Sequence, residues 1–247
     1  PEFVGPRSGG GKVAKSTQTF AGQQFTRLDY QPGKQFAEDS VSVRSFAIAE
    51  EQSGDAAINR ALRSVLPDGS PNSDLMDCMG LSVSMRGWDG DFQSQTEPEL
   101  ITDQWIGAVS SSGTYCGGAH PNYRQERQVF DRTSGEEVDP SRWLKPGLLT
   151  FYEVRESGPA RAKRVIETID AKLLALVVKN WPEGDSECVE ALPGFFGYDL
   201  GLVRAGIIFK PEVPHVATPC AEPITISWAE LDPYLSPEGQ RVRASLR

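Results

Sequence analysis

The chain has 247 residues, of which 38% are hydrophobic and 24% charged, and its formal net charge is -9 at pH 7. This composition is typical of a globular protein with a sizeable core, and it excludes collagen-like, coiled-coil and wholly disordered chains. The acidic balance disfavours nucleic acid and anionic lipid as partners, because both carry negative charge. No apolar run reaches the roughly 18 residues that a membrane-spanning helix needs.

The first half of the chain predicts strands around one short helix. Residues 1–22 are interpreted as a cloning scar and a disordered linker, because their opening is rich in Gly, Pro and Ser. Asp55 can begin a helix in which apolar residues recur up to Val65, and Pro67 ends it. Alternating or β-prone residues predict strands at 41–49, 81–85, 101–115 and 123–131, with a polar loop at 88–98. We expect 81–85 and 101–115 to pair as an antiparallel hairpin.

The second half predicts one long helix between further strands. Gly158 and Pro159 precede this helix, which we expect to cover residues 160–179. Its predicted buried stripe consists of Ile166, Ile169, Leu173 and Val177. The other predicted elements are a helical turn at 139–144, a hairpin at 195–209 that turns at 199–201, and a strand at 224–228. Ser227 and Glu230 have the spacing of a capping box, which predicts a terminal helical turn.

Together these elements indicate an α+β fold. Antiparallel sheets carry one long packed helix and one shorter helix, and the element order permits two closely packed sub-domains. We place the disordered segment at 1–22, a small strand–helix–strand sub-domain at 23–99, and a larger domain at 100–240.

The four cysteines are Cys78, Cys116, Cys188 and Cys220, and none of them lies in a CxxC pair, which argues against structural zinc. An even number in a turn-rich chain favours two disulfides and an oxidising compartment, with buried free thiols as the alternative. Among the three possible pairings we favour Cys78–Cys116 and Cys188–Cys220. The two cysteines of each pair lie at the outer ends of one predicted hairpin, which an antiparallel arrangement brings together.

Patterns of catalytic and metal-binding residues are weak in this sequence. The two histidines, His120 and His215, show no HExxH or HxH spacing, and the chain contains no GxSxG motif and no phosphate-binding glycine loop. A nucleophilic pair of Cys116 with His120 is an alternative that a disulfide at Cys116 would exclude. We therefore predict no catalytic residue, no metal site and no cofactor.

Two loops have the composition of recognition elements. In the first, two glycines follow a predicted strand, where they permit positive φ or close backbone approach, and a proline stiffens the exit. In the second, at 210–220, three prolines restrict the backbone, so little entropy is lost on binding. The predicted binding residues are Gly117, Gly118, His120, Pro121, Asn122, Pro214 and His215. The alternative is that both loops are stiff structural connections.

The segment Gly117-Gly-Ala-His-Pro-Asn122, followed by a strand that ends in Phe130-Asp131, resembles the C-terminal extracellular domain of RsiV-like anti-sigma factors. The segments at 195–203, 208–211 and 224–231 fit the closing part of the same pattern. Upstream, residues 41–85 are similar to the smaller domain that precedes it in RsiV and in the peptidoglycan deacetylase PdaC. The resemblance implies a mixed α+β fold outside the cytoplasm and a binding role, because the RsiV domain grips lysozyme. The four cysteines and the proline-rich loop depart from the family pattern.

We therefore predict a non-enzymatic periplasmic or cell-surface domain that binds a protein. The candidate partner is a basic, lysozyme-like cell-wall hydrolase, which a domain of charge -9 would attract, and the domain would act as its sensor or inhibitor. One alternative is a peptidoglycan-acting enzyme. Another is a wall-glycan-binding module, in which Trp88, Trp105 or Trp143 would stack on sugars. A nucleic-acid partner is not expected, and a membrane anchor would have to lie outside this sequence.

Overall fold

In the computed structural model, the described residues are 11–34, 36–37, 39–67, 73–87, 90–154, 163–182, 186–194 and 197–246. Within these ranges no helix is both long enough and apolar enough to cross a membrane. The chain divides into two compact units, Pro1–Glu137 (the first unit) and Val138–Arg247 (the second unit).

The first unit is built, in its described residues, on one six-stranded sheet. The strands lie side by side in chain order: β1 (Lys12–Phe20), β2 (Gln23–Gln31), β3 (Val41–Ala47), β4 (Asp91–Ile101), β5 (Trp105–Tyr115) and β6 (Asn122–Asp131). All neighbours are antiparallel except β3 and β4, which are parallel. Because a parallel pair needs a crossover, two helices, α1 (Asp55–Arg63) and α2 (Asp74–Arg86), lie between β3 and β4 in the chain.

Two apolar clusters hold these helices on the sheet. The first cluster contains Phe46, Ile48, Ile58, Leu62, Ile101, Ile106, Ala108 and Phe130. The second contains Tyr30, Phe36, Val41, Val43, Leu75 and Met79. Both helices thus pack through side chains that lie four residues apart and share one helix face.

The disordered linker predicted at 1–22 is wrong for residues 12–20, which form β1, whereas residues 1–10 lie outside the described residues. β1 pairs with β2 along its whole length. Ala21 and Gly22 between them have φ values of 47° and 84°, and two positive φ angles are what a type I′ hairpin turn requires. Most side chains of β1 are exposed, so this strand lacks the apolar alternation by which a half-buried strand is recognised.

The strand predicted at 81–85 is also wrong, because these residues lie in α2. Ser73 caps the start of this helix with its side chain, and Gly87, with a φ of 81°, ends it. The buried positions of α2 recur at helical spacing: Leu75, Cys78, Met79 and Ser82. Leu81 and Met85 are 51% and 59% exposed, so the alternation seen in the sequence lies on the solvent side of the helix.

The predicted loop at 88–98 contains most of β4, and the real hairpin joins β4 to β5 through residues 102–104. The predicted boundary between residues 99 and 100 therefore falls inside a strand of one sheet, and the two units divide after Glu137 instead. The strands predicted at 41–49 and 123–131 are confirmed as β3 and β6, and the helix predicted at Asp55 is confirmed as α1.

The second unit contains, among its described residues, a two-stranded and a three-stranded sheet. Its strands are β7 (Leu149–Val154), β8 (Lys163–Ile169), β9 (Tyr198–Val203), β10 (Gly206–Pro211) and β11 (Ile224–Ser227). Its α-helices are α3 (Ala171–Lys179), α4 (Ser186–Ala191), α5 (Trp228–Leu231) and α6 (Pro237–Ser245). Short 3-10 segments cover Pro140–Trp143, Leu192–Gly194, His215–Cys220 and Asp232–Tyr234. β10 lies between β9 and β11 and is antiparallel to both, so the α+β fold class is confirmed.

The helix predicted over 160–179 is correct only from Ala171 onward. Residues 163–169 form β8, which is rich in β-branched side chains, and residues 155–162 lie outside the described residues. Asp170 separates strand from helix, because its side chain accepts a hydrogen bond from the Lys172 amide and caps α3. Leu173 and Val177 are fully buried, as predicted, and Ile166 is buried from the strand instead.

The hairpin predicted at 195–209 is present, but its turn lies at residues 204–205 rather than 199–201. Asp199 and Gly201 are inside β9, where Leu200 and Leu202 alternate with them and are buried. The helical turn at Pro140–Trp143, the strand β11 and the capping box at Ser227 are confirmed.

Candidate functional site

The segment Gly117–Asn122, here called the GGAHPN loop, leads from β5 into β6 in the first unit. Gly117 has a φ of 95°, and a Cβ at this position would lie 3.2 Å from Ser82 Cα in α2. The positive φ favours glycine, and a Cβ would in addition crowd the backbone of α2. Residues 118–120 are exposed, and His120 Nδ1 lies 3.1 Å from the carbonyl oxygen of Pro121. The loop thus presents an exposed tip on a closely packed base.

The disulfide Cys78–Cys116 fastens this loop to α2, with a Cα–Cα distance of 4.7 Å. The pairing was predicted correctly although Cys78 lies in a helix rather than before a strand. On the other side the loop is held by the pairing of β6 with β5, which begins at Asn122 opposite Thr114. Both ends of the loop are therefore anchored, which lowers the entropy that it loses on contact with a partner.

A shallow cavity of about 430 Å³ adjoins the loop on the sheet surface. Its floor is Gly113 of β5, and Ser111 and Tyr115 are the next residues of that strand on the same face. Gln93 of β4 and Tyr123 of β6 are the direct partners of Gly113 across the sheet. We call these five residues the Gly113 trough. The rim also includes Ser42, Arg44, Asp91, Gln95 and Pro121.

Sequence reasoning missed the Gly113 trough. The run of small residues from Ser110 to Thr114 lies between Val109 and Tyr115, and a glycine inside a predicted strand is a signal that another group approaches the backbone closely. What the sequence could not supply is the register that brings Gln93 and Tyr123 to either side of Gly113.

Charged side chains near the trough are paired with one another. The Arg44 guanidinium donates to Asp29 at 3.0 Å and lies 3.8 Å from Glu97. Burial opposes ionisation of Asp29, but hydrogen bonds from Arg27 and Arg44 outweigh it and hold the pKa of Asp29 below its usual value. These contacts leave little net positive charge at this part of the rim.

Tyr115 is the last residue of β5 and contacts the C-terminal end of α2. The guanidinium carbon of Arg86, the last residue of α2, lies 4.8 Å from the centre of the Tyr115 ring. This distance is within the range of a cation–π contact, which holds the ring toward the helix end.

The second predicted loop lies in the other unit. Pro214, which is exposed, directly precedes the 3-10 segment His215–Cys220. The disulfide Cys188–Cys220, with a Cα–Cα distance of 5.2 Å, joins this segment to α4 and confirms the second predicted bridge. Pro214 and His215 therefore belong to the second unit, whereas the five other predicted binding residues belong to the first.

The other sequence-based candidates are placed as follows. No group of three His, Cys, Asp or Glu side chains in the described ranges is arranged to hold a metal ion. The sulfur of Cys116 is in a disulfide and cannot act as a nucleophilic thiol, so the alternative prediction of a catalytic pair with His120 is wrong. Trp105 and Trp143 are 9% and 0% exposed and are core residues, which removes them as sugar-stacking platforms. Trp88 lies outside the described residues.

No protein-family model matches this chain, and no curated protein matches its sequence. Among solved structures, a member of the DUF3298 family from Bacteroides fragilis NCTC 9343 has a TM-score of 0.50 at 10% sequence identity, over 97% of this chain and 98% of its own. A DUF3298 family protein from Pseudomonas aeruginosa PAO1 has a TM-score of 0.47 at 15% identity, over 94% of this chain and 96% of its own. The similarity to the Bacteroides fragilis structure concerns the fold alone, and it extends over both units.

Proposed function

We propose that this chain is an exported, non-catalytic binding domain whose GGAHPN loop contacts a basic protein partner. The candidate partner is a lysozyme-like hydrolase of the cell wall. The observation that carries this proposal is the loop itself, since an exposed tip held at both ends, by a disulfide and by a strand pair, is a preorganised contact surface.

The distribution of charge supports a basic partner. The first unit, Pro1–Glu137, contains 19 acidic and 12 basic residues, whereas the second contains 15 and 13. Seven of the nine net negative charges therefore lie on the unit that carries the loop. Such a field accelerates encounter with a positively charged protein and weakens as salt is added.

The cysteines, all four of which are paired, support an oxidising compartment. Structural disulfides persist in oxidising compartments, so a periplasmic or cell-surface location is part of the proposal. The likeness to a DUF3298 structure adds support at the level of fold, because DUF3298 proteins are related to the RsiV- and PdaC-type domains that the sequence resembles.

Calorimetric titration with a basic c-type lysozyme tests the proposal. In about 20 mM salt we expect a complex with a dissociation constant near the micromolar range, weakened by about tenfold or more in about 300 mM salt. His120→Ala should weaken the complex, because this residue lies at the exposed loop tip. Thr133→Ala, which is exposed elsewhere in the first unit, is the matched control and should bind as the parent chain does.

Two further measurements extend this test. Pro214→Ala and His215→Ala ask whether the proline-rich loop of the second unit also contacts the partner, as the sequence predicts. The absence of any complex at micromolar concentrations in low salt would remove lysozyme as the partner. Release of acetate or of soluble fragments from peptidoglycan by the protein alone would contradict its non-catalytic assignment.

A further inference from the structure

The Gly113 trough lies on the sheet face opposite α2. Phe92 of β4 packs into the cluster that contains Leu75 and Met79 of α2, and it is paired with Thr114 of β5. Because side chains alternate along a strand, the neighbouring pair of Gln93 and Gly113 points to the other face. A glycine in the middle strand, with larger side chains on all four sides, leaves a depression there.

One wall of the depression is an exposed aromatic ring. Tyr123 is 67% exposed, although large aromatic side chains are usually buried on folding. Two of its ring carbons, Cε1 and Cδ1, lie 3.2 and 3.3 Å from the position that a Cβ of residue 113 would take. The absence of a side chain at Gly113 therefore lets the Tyr123 ring lie close to the floor of the trough.

The remaining walls carry amide and hydroxyl groups, the Asp91 carboxylate, and an arginine that is paired with a carboxylate. Gln93 Nε2 donates to Asp91 Oδ1 at 2.8 Å, and Ser111 Oγ accepts from Gln125 Nε2 at 3.2 Å. Arg44 on the rim is engaged by Asp29. The amides and the hydroxyl can donate hydrogen bonds to ligand hydroxyl groups and accept hydrogen bonds from them, and the carboxylate can accept them. An anionic ligand, in contrast, would find the positive charge of Arg44 already neutralised by Asp29.

We propose that the Gly113 trough binds a neutral saccharide. The less polar face of a sugar ring lies against Tyr123, and its hydroxyl or acetamido groups exchange hydrogen bonds with Gln93 and Asp91. The cavity of about 430 Å³ falls within the range of small-molecule sites, about 300–1,000 Å³, and combines an aromatic wall with a few convergent polar groups, as such sites do. This site adjoins the proposed protein-binding loop and shares Pro121 with it, but the saccharide proposal does not depend on the assignment of that loop.

The test is a titration of the ¹⁵N-labelled chain with N,N′,N″-triacetylchitotriose and, separately, with cellotriose, followed by amide chemical shifts. We expect saturable shifts at Gly113 and Tyr123 below about 10 mM of at least one trisaccharide. Tyr123→Ala should weaken this binding by about tenfold or more, and Tyr123→Phe, which keeps the ring, by less than about threefold. Gly113→Ala should weaken it by about fivefold or more, because its Cβ must displace the Tyr123 ring.

Tyr152→Ala is the matched control, since Tyr152 is 41% exposed and belongs to the second unit. Gln93→Ala replaces any trough variant that loses its folded far-UV spectrum. The proposal is overturned if neither sugar gives saturable shifts, if Tyr123→Ala or Gly113→Ala binds as tightly as the parent chain, or if the Tyr152→Ala control loses binding equally. Failure of lysozyme binding alone would leave this result unaffected, so the two proposals fail separately.

Discussion

Both units bury apolar side chains, and the first also contains a buried ion pair. In the first, Asp55 at the start of α1 and Arg132 after β6 form a buried ion pair, with N–O distances of 2.8 and 2.7 Å. Their side chains are 0% and 7% exposed. In the second unit, the ion pairs of Arg142 with Glu238 and of Lys179 with Glu230 each include an exposed side chain, whereas buried apolar residues such as Leu173 hold α3.

This difference matters for how each unit responds to substitution and to pH. A buried ion pair fixes direction and register, but removing one partner leaves the other charge buried without compensation. An apolar core tolerates changes of pH, but it does not tolerate a charged side chain. We therefore expect acid to weaken the first unit through a specific pair, and a core charge to disrupt the second.

Leu173→Asp should have the largest effect on the second unit. Leu173 is 0% exposed, so the variant buries a carboxylate without a partner and leaves a space in the core. We expect a loss of about 4 kcal/mol or more in the free energy of unfolding, measured in urea and localised by hydrogen exchange. Lys172→Asp, at the neighbouring exposed position of the same helix, is the matched control. Unchanged stability of Leu173→Asp would contradict the burial of this side chain.

Asp55→Ala should destabilise the first unit by about 3–5 kcal/mol, because it leaves Arg132 as an uncompensated buried charge. The variant also removes the acceptor for the backbone amides of Glu51 and Gln52. Urea unfolding measures the loss, and hydrogen exchange should confine it to residues before Val138. The exposed Asp77 gives the control Asp77→Ala. If the two variants were equally stable, the buried pair would not be the principal polar contact of this unit.

Removal of the Cys78–Cys116 bridge by Cys78→Ser and Cys116→Ser should cost about 2–4 kcal/mol on the chain-entropy account. The bridge spans 38 residues, so the unfolded chain gains considerable freedom when it is lost. We also expect faster amide exchange in the GGAHPN loop. The double variant Cys188→Ser and Cys220→Ser is the internal comparison, and its effect should fall on the second unit instead. The same exchange pattern in both variants would mean that the bridges do not act locally.

Acid should remove the contribution of the Asp55 carboxylate to the stability of the first unit. Burial opposes its ionisation, but hydrogen bonds from Arg132 and from the amides of Gln52 and Glu51 outweigh this effect and hold the pKa of Asp55 below 3.8. A carboxyl group whose pKa is lowered on folding stabilises the protein above its unfolded-state pKa and loses this contribution as pH falls through the folded-state value. The stability difference between the parent chain and Asp55→Asn should therefore narrow below about pH 4. A constant difference from pH 7 to strongly acidic pH would contradict this assignment.

Features that depend on residues close together in the chain, such as helix caps and helix ends, could be predicted from the sequence. Pro67 after α1, Asp139-Pro140 at the 3-10 turn, and the Ser227 capping box act within a few residues, and each was predicted. Both disulfide pairings were also correct. The sequence of α6 carries a similar start signal, Ser236-Pro237.

Strand pairing and helix packing between distant residues could not be predicted in the same way. β1 is exposed along most of its length, and its stability comes from β2, so composition suggested a linker. Residues 81–85 alternate like a strand in sequence, but they lie in α2 with Leu81 and Met85 exposed, and only the packing of the helix reveals this. The candidate site shows the same limit, since the loop was predicted from its glycines, whereas the Gly113 trough depends on the register of three strands.

The smallest predicted effect concerns a partly buried helix cap of the second unit. Ser227 Oγ accepts a hydrogen bond from the Glu230 amide. The Glu230 carboxylate in turn accepts hydrogen bonds from the Lys179 ammonium, the Ser227 hydroxyl and the Asn180 amide, which lower the pKa of Glu230 to about 2. Ser227→Ala should cost about 1 kcal/mol, the usual contribution of a helix cap, and the pKa of Glu230 should rise toward its ordinary value. Carbon-detected NMR titration measures the second effect directly.

The neighbouring exposed Thr225, on the same strand, supplies the control Thr225→Ala, which should change neither quantity. The loss of stability in Ser227→Ala tests whether polar contacts contribute less to the stability of the second unit than to that of the first. Exposed ion pairs contribute little because water and salt screen them, so a loss as large as that of Asp55→Ala would require the cap to act through the buried Trp228 and Leu231 beside it. A loss confined to about 1 kcal/mol, with the pKa of Glu230 shifted, would place the stability of this unit in its apolar core.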